Sequence, residues 1–524
     1  MKRAIYLLSS LFAAASLLSP AQAAGSAADT TSRSTPRPSD KQRGQFLALE
    51  EQFSPQKHML SALHTNPAVH TSAYLRDFSQ AGVGYRLNHD DEAQLLAAGD
   101  GSDYGFFAAE SFRRLSPRTS VWGKAGYRRG TVRNVTWNSS SDLELIYPYI
   151  TADSTGGDLT SETYTFGGGY GQQRRKWTWA LEADIRASHE YRDIDPRPRN
   201  ISIELQFCAG VAFRTGNYLT GLSLKAQEYK QRGDVEFYNP LGIKAEYHLS
   251  GLGSHFSRFS GGEAGSHYRG SGCTLTFTVS PRDGRDGWFA AASYAYRKVE
   301  KILVAFNNLP LQRIEPRTLS AHIGRTVAGR LLHWGVGARL SYHYRPGTES
   351  IVGEKISNIY AVVGDLKMYE YSALSARIDA YMGRRGTRWE WNLSPWADFR
   401  RQTEDYLYPS QNRRASHLAG GVDGSVLLKR SRMYLRCEAG AGYRAAMSPH
   451  LLLPVADLHA SLVKMVRHDY RRMQLDAVLM HCALRADHTL GRRLNLFASA
   501  NYHFRRFSDS TLSHAVELQA GITF

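Results

Sequence analysis

The sequence predicts an all-β protein: a transmembrane, antiparallel, up-and-down β-barrel of about 18 strands, with 14 or 16 strands also compatible with the pattern. Three observations predict it. Apolar and polar residues alternate with a period of two through most of the chain after Asp77, with no long helical segment between. The polar faces carry Glu, Asp and Arg in mid-strand, as a wet lumen allows. Short and long connections alternate, which an up-and-down barrel requires and a Greek-key sandwich does not.

The chain has 524 residues and a net charge of +17. Met1-Lys2-Arg3 precedes an apolar run over 5–18, followed by Pro20 and Ala21-Gln22-Ala23. A basic start, a short apolar run and an A-x-A site predict a secretory signal peptide over residues 1–23. Ala24 follows with no cysteine nearby, so a lipid anchor has no support. No later stretch approaches the roughly 20 apolar residues of a membrane helix. A barrel spans without one, because half of each strand is free to be polar. Residues 24–76 are expected to hold a polar leader, through Thr35-Pro36-Arg37-Pro38, and a short helix within 46–63. Phe46, Leu49, Leu60 and Leu63 are its apolar points, and Asn66-Pro67-Ala68 ends it. This segment belongs in the periplasm or in the barrel mouth as a partial plug.

The barrel is assigned to 77–524. Strands are placed near 77–87, 104–113, 119–134, 162–172, 176–191, 201–213, 217–228, 269–281, 287–298, 317–327, 333–344, 367–383, 388–401, 417–428, 432–444, 473–486, 493–505 and 512–524. Trp177, Trp179, Leu181, Ala183, Ile185 and Ala187 oppose Thr178, Ala180, Glu182, Asp184, Arg186 and Ser188. Trp334, Val336, Ala338, Leu340 and Tyr342 oppose a face that carries Arg339, and Cys437 and its neighbours oppose Arg436 and Glu438. In the last strand Leu512, Val516, Leu518, Ala520, Ile522 and Phe524 share one face, with His514 the exception. An apolar-out strand ending in Phe is similar to the closing strand of outer-membrane barrels. Tyr and Trp gather at strand ends, as interfacial girdles do (Trp177, Trp179, Trp334, Tyr344, Tyr443). Cys273 and Cys437 lie on apolar faces and read as small hydrophobes, not as a disulfide framework.

The long connections are 135–161, 229–268, 345–366 and 445–472. Nearly all of the short ones are basic: Arg113, Arg114 and Arg118; Arg174, Arg175 and Lys176; Arg282 and Arg285; Arg384, Arg385 and Arg388; Lys429, Arg430 and Arg432; Arg492 and Arg493. Such a rim suits anionic head groups of the periplasmic leaflet, or simply solvated turns. Nucleic acid is not expected as a partner, since the cations are scattered over turns and not collected on one reading element.

Gly99-Asp100-Gly101, Tyr147-Pro148-Tyr149-Ile150-Thr151-Ala152-Asp153-Ser154 and Tyr191-Arg192-Asp193-Ile194-Asp195-Pro196-Arg197-Pro198 carry a family resemblance, together with Trp122-Gly123, Glu162 and Tyr164. The chain resembles a Bacteroidota outer-membrane β-barrel family known as domain of unknown function 6850. The resemblance covers most of the chain and is strongest between residues 80 and 215. It implies a barrel in the outer membrane and brings no activity and no functional residues. In the residues themselves, Asp142, Asp153, Asp193 and Asp195 have Arg192, Arg197 and Arg199 as available partners, forming either a loop lid over the pore or a loop-packing network with no ligand.

No spacing fixes a catalytic triad, so no enzyme is expected. Asp100-Gly101-Ser102-Asp103 lacks a full calcium-loop pattern, and no zinc or phosphate-loop spacing occurs, so neither metal nor cofactor is expected. The candidate functional groups are the inward charges: Glu182, Asp184 and Arg186, then Arg339, then Arg377 and Asp379, then Arg436 and Glu438. They either line a pore for a small polar, anionic solute or pair across the lumen and close it. The alternative is a non-conducting barrel whose loops bind a ligand or another outer-membrane or surface protein.

Overall fold

Alternation sends one face of each strand outward and the other inward, and the computed structural model shows the closed sheet that results. It describes residues 47–524 except 239–245, 260–264, 283–285, 330–331, 357–358, 455–459 and 492–493. The expected signal peptide, the polar leader, Phe46, Arg285, Arg492 and Arg493 lie outside the described residues.

The staves of the barrel are β1 (Phe78–Asp90), β2 (Gly101–Ser116), β3 (Thr119–Val135), β4 (Gly157–Arg174), β5 (Trp177–Tyr191) and β6 (Arg197–Thr215). Then come β7 (Tyr218–Glu236), β8 (Ser266–Pro281), β9 (Gly287–Leu303), β10 (Leu309–Ile314 continued by Arg317–Ala328), β11 (Leu332–Ile356) and β12 (Ile359–Arg384). The circuit ends with β13 (Trp389–Tyr406), β14 (Gln411–Lys429), β15 (Met433–Leu452), β16 (Ala477–Thr489), β17 (Asn495–Phe507) and β18 (Leu512–Thr523). Counting β10 as one broken stave gives 18 antiparallel strands. Each pairs with its sequence neighbours, and β18 pairs with β1 from Gln80↔Thr523 to Asp90↔Ser513. Ser79 and Phe524 exchange both backbone hydrogen bonds at the seam. No bare edge remains at that seam, which removes the aggregation hazard of an open sheet.

Outward side chains are apolar and exposed along the staves, among them Leu181, Leu224, Leu340, Ile378, Leu418, Leu484 and Leu518. In a soluble protein this belt would be an aggregating surface; against hydrocarbon it is the required one. Among the described residues no helix is long and apolar enough to cross a membrane. Cys273, Cys437 and Cys482 are exposed, Cys208 is buried, and all four are free.

The structure corrects two expectations and extends a third. The connection over 345–366 is not a loop: β11 and β12 run on as a paired hairpin to Ile356↔Ile359, absorbing Pro346 and Gly347 at a register shift beside Thr348. The connection over 445–472 contains a 13-residue helix, Ser461–Met473, which buries Leu462, Val463 and Val466 on one face. Asn66-Pro67-Ala68 both ends one helical turn, Ser61–Thr65, and starts another. The Asn66 side chain accepts from the Ala68 N–H, and Pro67 occupies the first helical position, where its missing N–H goes unneeded.

Among the described residues, 47–52 are helical, and after them come α1 (Pro55–Leu60), α2 (Pro67–His70), α3 (Leu143–Ile146) and α4 (Ser461–Met473). The segment over 47–76, with α1 and α2, sits inside the short-turn end. Met59, Leu60, Leu63, Ala68 and Val69 pack there against Ala180, Ala212, Leu219, Phe289 and Tyr381 of the wall. A second core lies at the long-loop end. Ile146, Tyr149, Ile150, Leu249, Leu462 and Val466, all from connections, pack against the inward rings of Tyr229, Tyr268, Tyr369 and Tyr406. A small sheet of Thr151–Ala152, Tyr247–Gly251 and Ser254–His255 stiffens this core.

Candidate functional site

The N-terminal segment packs against the inner wall at one end because glycines there make room for it. A Cβ on Gly210 of β6 would lie 2.4 Å from Asn66 Oδ1, and one on Gly221 of β7 would lie 2.6 Å from Asn66 Nδ2. The nearest wall hydroxyl completes the seat, with Asn66 Nδ2 donating to Thr278 Oγ1. His64 and His70 stand edge to face, 6.0 Å apart, and His70 lies 4.8 Å from the Trp122 ring. Burial pushes the His64 imidazole down to about 3 and that of His70 to about 4, with the Lys57 ammonium adding to both shifts.

The lid at the other end is held to the wall by polar contacts. Arg345 of β11 donates to the Tyr147 and Glu144 carbonyls at 2.7 and 2.9 Å. Lys301 Nζ donates to the Ile150 carbonyl at 2.9 Å, and Tyr268 donates to the Tyr149 carbonyl at 3.0 Å. Tyr147 reaches down to Glu404 at 2.6 Å, and Arg413 holds the other oxygen of that carboxylate.

The lid aspartates expected from the sequence have distinct partners. Asp153 pairs with Arg192 at 2.6 Å and accepts from Ser139 and from the Thr155 and Gly156 N–H groups. Burial raises the Asp153 carboxyl, but Arg192 and these donors outweigh it and hold the group below the usual range. Asp142 does not join the loop arginines: it accepts from Arg186 of the lumen wall at 2.8 Å and from Tyr229 at 2.9 Å. Asp195 pairs with Arg197 at 2.8 Å, Arg199 donates to His189, and Asp193 is exposed. The four aspartates therefore do not form one network.

All eight inward charges project into the lumen, in two groups. On β5, Glu182 accepts from Trp122 Nε1 at 2.9 Å, Asp184 pairs with Lys124 at 2.7 Å, and Arg186 bridges Asp142 and Glu204. On the opposite wall, Arg339, Arg377, Asp379, Arg436 and Glu438 line one cavity of about 440 Å³, floored by α1. Arg377 pairs with Asp379 at 2.8 Å, Arg339 approaches the same carboxylate at 3.8 Å, and Arg436 pairs with Glu438 at 2.6 Å. Most of the expected arginines are thus neutralised by a neighbour.

A second cavity of about 700 Å³ lies one step further along the same staves, roofed by the lid residues Leu143, Glu144 and Tyr147. Ser341 and His343 continue β11 from Arg339, and Asp398 and Arg400 continue β13 from Trp396 of the first cavity. The sequence reading did not single out Asp398, Arg400, Glu404 or Arg413, although strand parity alone turns the first three inward. Among the described residues no group of three or more His, Cys, Asp or Glu is placed to hold a metal ion.

A sequence model described as a family of unknown function (DUF6850) matches residues 67–524. The chain belongs to that family. No curated protein matches. Among solved structures, the chain is similar to the ferric enterobactin receptor PfeA of Pseudomonas aeruginosa, at 6% identity and a TM-score of 0.36, over 85% of this chain and 80% of that one. BauA, the ferric preacinetobactin receptor of Acinetobacter baumannii, matches at 8% identity and 0.37, over 86% and 80%. FauA, the alcaligin outer-membrane receptor of Bordetella pertussis, matches at 11% and 0.33, over 85% and 76%. Likenesses this low assign no ligand to this member of the family.

Proposed function

We propose that this chain is an outer-membrane barrel that moves a small polar, carboxylate-bearing solute through a chamber sealed at both ends. The observation that carries this reading is the pair of stacked cavities on β11–β15, the lower bordered by α1 and the upper by the lid. A barrel built only to display loops has no use for such a volume, whereas a gated pathway needs a resting place between its gates. The outer belt of exposed Leu and Ile, with exposed Trp177, Trp288 and Trp389 at the short-turn end, supports a position in a membrane.

The test is ion conductance of the detergent-folded protein in a planar bilayer, for the full chain, a chain lacking 137–155 and a chain lacking 47–76. Silence in the full chain and in each single deletion, with steps in a fourth chain lacking both 47–76 and 137–155, or steps on removing either segment alone, support a gated pore. Silence throughout, in protein whose band shifts on boiling, sinks it.

One observation favours a second reading. The β11–β12 hairpin exposes Ile351, Ile356, Ile359 and Val363 beyond the lid core. If trimming opens nothing, the barrel presents this hairpin and its loops to another outer-membrane or surface protein.

A further inference from the structure

The upper cavity has an uneven charge balance. Its deeper ion pair is closed, since Arg413 and Tyr369 both hold Glu404. Asp469 is occupied by the Leu96 N–H and by His468, and Arg345 is spent on the lid carbonyls. Two wall charges remain. Among the described residues, neither Asp398 nor Arg400 has a hydrogen bond or an ion pair, although both line the cavity. They sit two apart on the inward face of β13, about 6.6 Å along the strand. Arg400 is exposed to the lumen and Asp398 half-exposed. Every other wall charge described above has found an opposite partner or a dipole, so a neighbouring unpaired acid and base are the exception that calls for a ligand.

We infer that the upper cavity binds a small zwitterion, its carboxylate on Arg400 and its ammonium on Asp398, with a free dipeptide as the size class. An extended chain advances about 3.3–3.6 Å per residue, so a two-residue ligand has the length of the backbone interval between the two positions. A volume of about 700 Å³ leaves room for two side chains of ordinary size. Ser341, Ser375 and Gln402 offer neutral partners for one peptide group. An anion-only site would have left Asp398 repelling its ligand, and a cation-only site would have left Arg400 doing so. Glu144 on the lid lies over the same cavity and is the one competing acid.

This inference rests on the reading that the chamber holds a solute. It is tested by isothermal titration of the folded full chain, and of a Gly210→Val chain whose lower seal is loosened, with dialanine, N-acetyl-dialanine and dialanine amide. Dialanine is expected to bind, and either blocked form to bind about tenfold or more weakly, because each lacks one charge-assisted contact. Arg400→Gln is expected to weaken dialanine while leaving the amide unchanged. Asp398→Asn is expected to weaken dialanine while leaving the acetylated form unchanged, and Glu144→Gln to change neither. Boiling-dependent gel migration shows that each variant is folded. Equal binding of dialanine and its acetylated form overturns the inference in favour of an anion site, and no binding in either background overturns it outright. Binding without dipeptide flux into liposomes would retain the site and remove the transport reading; flux indifferent to blocking would do the reverse.

Discussion

Arg192 and Asp153 meet at 2.6 Å with both side chains sealed from solvent. Arg192 also donates to the Pro196 carbonyl at 3.0 Å, so one guanidinium ties the 135–157 connection to the 191–197 turn. The pair is a latch between two loops that are otherwise far apart in sequence. Asp153→Asn leaves a buried guanidinium without its counter-charge, which costs about 3–5 kcal/mol at such sites. The expected result is proteolytic cleavage within 135–157 in the variant and not in the wild type, with the barrel band still shifting on boiling. A variant as resistant as the wild type would show that the lid is held by its apolar core alone.

The seat of α2 gives a second prediction. Gly210→Val places its Cβ 2.4 Å from Asn66 Oδ1, and Gly221→Val places its Cβ 2.6 Å from Nδ2. Overpacking of this kind costs about 1–3 kcal/mol. Here the strain is most easily relieved by ejecting the N-terminal segment, not by opening the closed sheet. Protease should then cut within 47–76 in both variants, as it should not in a control such as Gly491→Ala, where no atom lies within 4 Å of the added Cβ.

These two seals mark where sequence reading ended. The staves were legible because every strand repeats one signal, a period of two with an apolar outer face, and Leu512 to Phe524 shows it as clearly as any. The lid was not, because its pieces come from separate connections: Ile150, Leu249 and Val466 meet in one core, yet none stands in a periodic stretch long enough to read. Helix α4 has only three buried apolar residues to announce it, Leu462, Val463 and Val466, and it caps no strand pattern. Charge pairing escaped for a related reason. Parity turns Arg186 inward, but nothing local to it shows that Asp142, 44 residues away, will be its partner. The same holds in reverse for Asp398 and Arg400: parity places them in the lumen, with Arg377 across from Asp398 and His417 across from Arg400, and only the structure shows Arg377 turned to Asp379 instead.

Docking of the N-terminal segment should weaken in acid. Burial holds His64 at about 3 and His70 at about 4, below the ordinary imidazole value of 6.5. A base with a depressed folded value is neutral in both states above 6.5. Below 6.5 the undocked segment takes up protons first, so stability is lost as the pH falls from 6.5 toward 4. Burial raises the Glu51 carboxyl, which acts in the opposite sense at the acid end, so the comparison must be between variants. His64→Gln with His70→Gln should flatten the pH dependence of hydrogen exchange over 47–76 between pH 6.5 and 5. An unchanged slope would place the sensitive groups elsewhere.

The short-turn rim should prefer anionic lipid. Arg174, Arg175 and Lys176 are all exposed on the β4–β5 turn, directly beside the exposed Trp177 ring. Arg118, Arg282, Arg388, Arg430 and Arg432 are exposed on other turns at the same end. Lys429 and Arg114 are exceptions: Lys429 is drawn inward to Glu50 at 2.9 Å and Glu390 at 3.5 Å, and Arg114 donates to the Tyr74 carbonyl at 2.6 Å. A cation next to an anionic leaflet gains about 1 kcal/mol, and salt screens the gain over about 10 Å at 0.1 M. The wild type should therefore melt at a higher temperature in phosphatidylglycerol nanodiscs than in phosphatidylcholine ones, and less so as salt rises. Neutralising Arg174, Arg175 and Lys176 together to Gln should remove a measurable share of that difference while leaving the phosphatidylcholine value unchanged. If the wild type melts alike in both lipids, the rim is solvated turn chemistry and its charge serves solubility on the way to the membrane.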